Sequence, residues 1–352
     1  MRKIPSANQL SDIVWLQTAF IGDIVLTTGA INLVRKEFPH IRQHIITTPE
    51  GWELLKGMPA LETRLVYAKS RTGLMGFSKI RTALRELSLE KASTLIIQPH
   101  RSVRSSLLCR FLGFPTLTYT ESSFSFLATQ TIPRISVFHE VQRIALLLEP
   151  LGVERETVLA ARPLLQALPL VPDVPWQREL ANFTGELVGL AVGTQWGTKR
   201  WPLESYTELA KRLGARPKTG LVLIGSKGEK GWADSLASAL QRSSNVPLWN
   251  LAGLTSFDDL RRLFPRLSLL ISNDSSPVHF ASAFHVRSLV VFGSTTPSLG
   301  FGPLAKHSQV VEHSLSCRPC SDHGPQLCPL GHFACMKNIS VEKMTQRALA
   351  VL

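Results

Sequence analysis

Short apolar runs alternate along the chain with longer stretches in which apolar positions recur at helical spacing. The runs predict strands at DIVWLQ (12–17), HIITT (44–48), TRLVYA (63–68) and STLIIQ (93–98). Helical spacing predicts an amphipathic helix over 23–38, helices over 77–89 and 101–112, and a closing helix over 139–152. RPLLQALPLVPDVPW then brings Pro163, Pro169, Pro172 and Pro175 close together. Neither a helix nor a central strand tolerates that, so the stretch reads as a linker. The pattern restarts with strand ELVGLAV (186–192), helix 203–213, strand LVLIG (221–225) and helix 229–241. Strand LSLLI (267–271) with its own helix and strand SLVVFG (288–293) follow. Alternating strands and helices imply parallel sheets with helices on both faces. The expectation is an α/β chain of two doubly wound domains facing a central cleft: residues 1–165, a Pro-rich linker 166–176, a second domain 177–337 and a C-terminal helix 338–352. No internal repeat and no low-complexity segment interrupts this.

Composition changes the picture in one respect. Of 352 residues, 44% are hydrophobic and 18% charged, as expected of a folded water-soluble chain. No apolar run approaches the roughly 20 residues of a membrane helix, and MRKIPSANQLS lacks the apolar core of a signal peptide. A cytoplasmic protein is expected. Lys and Arg exceed Asp and Glu by 39 − 26 = 13. Residues 64–110 hold ten basic residues against only Glu86 and Glu90, so the charge is local. It points to an anionic partner: nucleic acid, a membrane surface or a phosphorylated substrate.

Ligands of open α/β sheets bind beyond the carboxyl ends of the strands, and four such loops carry unusual chemistry. In QTAFIGDIVLTTGA (17–30), Asp23 opens a helix, either as an N-cap carboxylate or as a functional acid. In AVGTQWGTKRWPLESY (191–206), Gly193 and Gly197 keep the loop open, Thr194 and Thr198 offer hydroxyls, and Lys199 and Arg200 are adjacent cations. This loop is either a phosphate cradle or a solvated surface with Trp201 as core. It is not the nucleotide-triphosphatase loop, whose GxxxxGK[ST] order is absent. GSKGEKGW (225–232) is a weaker candidate, through Lys227 and Glu229. In SNDSSPVHFASAF (272–284), the amides near Ser275 and Ser276 suit a phosphate at a helix start. Asp274 would repel one and braces the loop or accepts from ligand hydroxyls; His279 is a ligand contact or ordinary core. Together these loops argue for an enzyme that joins a nucleotide-bearing donor to an acceptor.

Three segments, GDIVLTTGAINLVRKEFP, GTQWGTKRWPLESYTELAKRL and SNDSSPVHFASAFHVRSLVVFGSTTP, resemble in order and spacing the ADP-heptose:lipopolysaccharide heptosyltransferase family. The resemblance implies a GT-B architecture and an inverting, metal-independent transfer of heptose from an ADP-sugar to the inner core of lipopolysaccharide. It implies Asp23 as general base and Lys199 as the diphosphate-binding lysine, with Thr194 and Gln195 beside it. Asp274, Ser275, Ser276 and His279 resemble the nucleotide loop, Leu254 the apolar adenine contact and Glu229 a ribose-binding acid. His100, Arg101 and Arg104 are the acceptor-side candidates. Many members have Gly where Ser276 stands. The implied partners are ADP-heptose and a lipid A/Kdo-type acceptor, with the chain at the cytoplasmic face of the inner membrane. Two other readings stay open: a different nucleotide-sugar enzyme such as an epimerase, and a nucleic-acid-binding protein. Against the second, the basic residues lack interleaved aromatics and no recognition motif is present.

Cys109 stands alone and is expected in a core. Cys317, Cys320, Cys328 and Cys335 form a C-x2-C-x7-C-x6-C series. It is either a structural zinc site pinning an irregular tail or a set of reduced or disulfide-paired structural thiols. No cofactor is expected to be required for catalysis.

Overall fold

The computed structural model describes residues 3–68 and 73–352. The chain divides into two compact units, Met1–Leu164 and Leu165–Leu352.

The strands of unit 1 are β1 (Asp12–Gln17), β2 (Arg42–Thr47), β3 (Thr63–Val66), β4 (Thr94–Ile97), β5 (Thr116–Tyr119) and β6 (Gln130–Ile132). Its helices are α1 (Ile21–Glu37), α2 (Pro49–Leu54), α3 (Gly73–Glu86), α4 (Val103–Leu112), α5 (Glu140–Leu146) and α6 (Arg155–Leu159). Unit 2 contains α7 (Pro175–Asn182), β7 (Glu186–Ala191), α8 (Leu203–Gly214), β8 (Thr219–Leu223), α9 (Lys230–Gln241), β9 (Leu248–Asn250), α10 (Phe257–Leu263) and β10 (Leu269–Asn273). It ends with α11 (Pro277–Ala283), β11 (Ser288–Phe292), β12 (Gln309–Glu312), α12 (Ala334–Lys337) and α13 (Val341–Val351).

Both sheets are parallel. The first runs β3-β2-β1-β4-β5-β6 and the second β12-β11-β10-β7-β8-β9. Counted from the first strand of each unit, these are the same 3-2-1-4-5-6 order. Its direction reverses between β1 and β4 in unit 1, and between β7 and β10 in unit 2. Such a reversal leaves a crevice at the strands' carboxyl ends.

The central strands β1, β4, β7, β10 and β11 are buried along nearly their whole length, as strands covered on both faces must be. Helix α1 departs from its amphipathic expectation: Ile24 through Ile31 are all buried, and so are Leu33 and Val34. Helix α5 covers the outer side that would otherwise be wet. A Cβ at Gly29 would lie 2.7 Å from Val141 of α5 and 2.9 Å from the Arg162 carbonyl oxygen, so only glycine permits this approach. The predicted 139–152 helix stops at Leu146 and resumes as a 3-10 turn over Glu149–Leu151.

The Pro-rich stretch is held against unit 2. Arg261 Nε donates to the Gln166 carbonyl (2.8 Å), Arg262 Nε to that of Pro169 (3.0 Å), and Leu168 N to that of Arg261 (3.2 Å). The unit 2 core joins Trp201, Tyr206 and the strands to Cys335, Met336, Ile339 and Met344, so the C-terminal segment shares that core. Cys109 is core as expected, and burial pushes its thiol up to about 12. No described helix is long and apolar enough to cross a membrane.

Candidate functional site

In unit 1 the chemistry gathers where β1 hands over to α1. Gln17, at the end of β1, donates to Thr27 Oγ1 (2.9 Å) and accepts from the Ala19 amide (3.2 Å), which ties the intervening loop to the helix. Phe20 is the N-cap residue and its side chain makes no capping bond. Asp23 is therefore the third helical residue and not the N-cap. Its half-buried carboxyl instead takes hydrogen bonds from the backbone N–H groups of Phe20 and Asp23. Burial raises its pKa from 3.8 to about 7, and the nearby Glu140 charge pushes the same way. The two amides and Arg134 oppose them.

Glu140, the first residue of α5, is buried and pairs with Arg134 and with Arg143 Nη1 (3.1 Å). Arg143, also buried, donates from Nε to the Ile135 carbonyl (3.1 Å) and from Nη2 to that of Ser136. Tyr119 ends β5 fully buried, and its hydroxyl has no hydrogen-bond partner among the described residues. Burial, reinforced by Glu140, holds that hydroxyl well above its usual pKa of 10. This carboxylate–guanidinium cluster lay outside the sequence expectations. Its only local signal was a Glu and an Arg one helical turn apart in HEVQR. Of the acceptor candidates, His100 and Arg101 follow β4 across the switch point from α1, and Arg104 lies in the first turn of α4. Arg101 and Arg104 are exposed.

In unit 2 three adjacent strand ends converge. After β7, Lys199 Nζ lies 2.7 Å from Asp274 Oδ2, on the loop after β10; both side chains are largely buried. The same oxygen accepts from Thr295 Oγ1 (2.6 Å), on the loop after β11. Asp274 thus braces the loops and orients Lys199, and the solvated-surface reading of Lys199 fails. Arg200 turns the other way. Its Nη2 donates to the Thr194 carbonyl (3.0 Å), its guanidinium lies 4.2 Å from the Trp232 ring centroid, and the Glu229 charge acts on it. Trp201 is fully buried, as the alternative reading of this loop had it.

Thr194 is buried, its hydroxyl facing the Trp196 amide at 3.5 Å. Gln195 is exposed. Glu229 accepts from the Ser226 amide (2.7 Å). A Cβ at Gly193 would sit 2.5 Å from Glu229 Cδ and Cγ, so the glycine is what lets the two loops touch. Leu254 is 63% exposed, and its loop is fastened to the Glu229 loop by Gly253 N–H to the Gly225 carbonyl (2.8 Å). Ser275 Oγ donates to the Asn273 carbonyl (3.3 Å), and Ser276 precedes α11 without a side-chain cap. His279 is buried, its ring centroid 6.2 Å from that of Phe301.

Asn273 and the C-terminal segment are the unforeseen parts. Asn273, fully buried, accepts from the Trp201 amide (3.0 Å) and donates to the Val192 (3.0 Å) and Gly193 (3.3 Å) carbonyls, clamping both ends of the Lys199 loop. The segment between the second and third of the four C-terminal cysteines, Cys320 and Cys328, also reaches that loop. Thr198 Oγ1 donates to the Pro325 carbonyl (2.5 Å), Gln326 bonds Gly197 N–H (3.1 Å) and the Gln195 carbonyl (3.0 Å), and His323 stacks on Trp196. Arg318, next to Cys317, donates to the carbonyls of Gly293 and Thr295. The four thiols lie within electrostatic reach of one another. Among the described residues, however, no group of three or more His, Cys, Asp or Glu side chains is close enough to hold a metal ion. The zinc alternative therefore finds no assembled site among the described residues.

Two doubly wound α/β units, each with a charged constellation at its switch point, define a GT-B type of protein. The sequence profile of glycosyltransferase family 9 (heptosyltransferase) matches residues 81–330, and the chain belongs to that family. It is similar to lipooligosaccharide heptosyltransferase 2 of Campylobacter jejuni, 26% identical over 200 residues. That match takes in 56% of this chain and 61% of the relative, so it spans about three-fifths of the relative's length. Among solved structures, a glycosyl transferase family 9 protein from Veillonella parvula superposes with TM-score 0.82 at 20% identity over 100% of this chain and 99% of its own. The E. coli ADP-heptose lps heptosyltransferase II does so with TM-score 0.76 at 19% identity over 97% and 98%.

Proposed function

We propose that this chain is an inverting heptosyltransferase. It takes ADP-L-glycero-D-manno-heptose as donor and a lipid A/Kdo-type inner core of lipopolysaccharide as acceptor, working at the cytoplasmic face of the inner membrane. The observation that carries the reading is the Lys199–Asp274–Thr295 constellation, which draws three strand-end loops of unit 2 to one point. A cation so oriented suits a diphosphate leaving group.

In the proposed reaction Asp23 takes the proton of an acceptor hydroxyl as its oxygen attacks the anomeric carbon. A new C–O bond forms on the face opposite the departing diphosphate, and the bond from the anomeric carbon to the diphosphate oxygen breaks. The electron pair leaves with ADP, whose growing charge Lys199 and the amides near Ser275 and Ser276 offset. Thr194, Gln195, Glu229, Leu254 and His279 complete the donor site in this reading, and His100, Arg101 and Arg104 receive the acceptor's anionic groups. A carboxylate titrating near 7 is matched to a base at neutral pH.

No step runs through a metal. The four C-terminal cysteines serve the segment that clasps the Lys199 loop, and zinc there would require Cys317, Cys320, Cys328 and Cys335 to close on one point. The test is to incubate purified protein with ADP-heptose and Kdo-bearing lipid A. Stoichiometric ADP release and a mass gain of one heptose on the acceptor support the reading. Intact donor, or ADP release with no change in the acceptor, overturns it.

A further inference from the structure

Helix α4 has an outer face that contradicts its surroundings. Its inner side buries Leu108, Cys109 and Leu112 in the unit 1 core. The outer side of a surface helix is normally polar. Here Val103 (46% exposed), Leu107 (44%) and Phe111 (36%) recur every fourth residue along it. The Glu121–Leu127 loop extends the apolar surface, because it is fastened to the start of α4 by Ser123 N–H to the Arg101 carbonyl (3.1 Å) and Ser106 Oγ to the Ser123 carbonyl (2.5 Å). That loop holds out Phe124 and Phe126, the latter 78% exposed, packed edge to face at 5.7 Å.

The charges around this face are mainly basic, with Glu121 at the start of that loop as an exception. Arg104 and Arg110 are exposed on α4, and the Arg81 guanidinium of α3 lies 4.4 Å from the Phe111 ring centroid. Between Glu90 and Glu121 the chain contains no acid. We propose that this face docks on an anionic lipid bilayer, with Leu107, Phe111 and Phe126 entering the headgroup–acyl boundary and the arginines meeting lipid phosphates.

Charge complementarity selects that occupant. A second copy would set two like-charged faces against each other. Nucleic acid would satisfy the arginines but leave the aliphatic and phenyl groups without an apolar partner. A bilayer interface satisfies both at once. The inference deepens the proposed function and rests on it in one respect. Helix α4 starts at the carboxyl end of β4, beside the acceptor candidates His100 and Arg101, so docking there would bring a lipid-borne acceptor to them.

The test is co-sedimentation with vesicles of phosphatidylglycerol and phosphatidylethanolamine, against vesicles of phosphatidylcholine, without donor or acceptor. The native chain is expected to bind only the anionic vesicles, and more weakly in high salt. Leu107→Ser with Phe126→Ser, both at exposed positions, should weaken binding by about tenfold or more with unchanged circular dichroism. Arg110→Gln should weaken it less and flatten its salt dependence. Absence of binding by the native chain, or equal binding by the double variant, overturns the proposal. So does a lipid-free dimer that the double variant dissociates, which would make the occupant a second copy. Heptose transfer to a water-soluble, deacylated acceptor is measured in parallel. Vesicle binding without transfer sinks the functional reading alone, and transfer without vesicle binding sinks only the docking face.

Discussion

The two units share a strand order and use it for opposite electrostatic ends. At the unit 1 switch point an acid is made reluctant to ionise: Asp23 sits beside Glu140 in a half-buried pocket and its pKa rises to about 7. At the unit 2 switch point an acid is fully engaged. Asp274 accepts from Lys199 and Thr295, and its partners hold it and the lysine in one place. One topology therefore supports an acid with a raised pKa in one half and a fixed cation in the other. The difference comes from what surrounds each acid: burial and then a carboxylate at the start of α5 in one case, an ammonium after β7 in the other.

The largest way to break this comparison is Asp23→Asn. As a base, Asp23 should cost roughly 10² to 10⁴ in turnover when replaced, while ADP affinity, measured calorimetrically, stays the same. The stability effect runs the other way. The native state holds this proton more tightly than the unfolded chain, whose pKa is near 3.8, so the group costs stability as pH rises from there through 7. At pH 8 the Asn variant should melt no lower than the native chain. Near-normal turnover would leave Asp23 a structural carboxyl bonded to the helix amides.

Lys199→Met comes next. Losing a charge-assisted hydrogen bond of roughly 1.5–3 kcal/mol should weaken ADP binding tenfold or more. It also leaves Asp274 buried with only Thr295, so the melting temperature should fall. Asp274→Asn added to Lys199→Met should restore the melting temperature but not the ADP affinity. Full ADP affinity in a folded Lys199→Met chain would reduce the lysine to a loop brace. Gly193→Ala should cost about 1–3 kcal/mol in chemical unfolding, because the new methyl collides with Glu229; an unaffected midpoint would mean the loops part freely.

The smallest effect sharpens the unit 1 side. kcat/KM should rise with pH through a midpoint near 7, since the base works deprotonated. Glu140→Gln removes a neighbouring negative charge and releases Arg134. Both changes favour the Asp23 carboxylate, so the midpoint should move down by about one unit. An unshifted profile would detach Glu140 from Asp23.

Much of the framework was legible because it is written locally. Strand 12–17 matches β1 to the residue, and the strands before the Lys199 and Asp274 loops lie within two residues of their expected ends. A long apolar run buried on both faces needs no partner to be recognised. The strand TLTY and the edge strands QTI, LWN and QVVE were not legible. They are short and mostly half polar, and their strand character comes from pairing with a neighbour.

The candidate site divides along the same line. Residue identity and loop order alone established which groups could carry the chemistry: Asp23 at a helix start, Lys199 after one strand, and Asp274, Ser275 and Ser276 after another. Tertiary structure alone decided their states. The Asp23 pKa is raised first by burial and then by Glu140, which comes near because α5 packs on α1 through Gly29. The Lys199 loop is held by Asn273 and by Pro325 and Gln326, from distant parts of the chain. Sequence order specifies what a loop contains, but hydrogen bonds and desolvation are set by whatever chain segments arrive beside it in space.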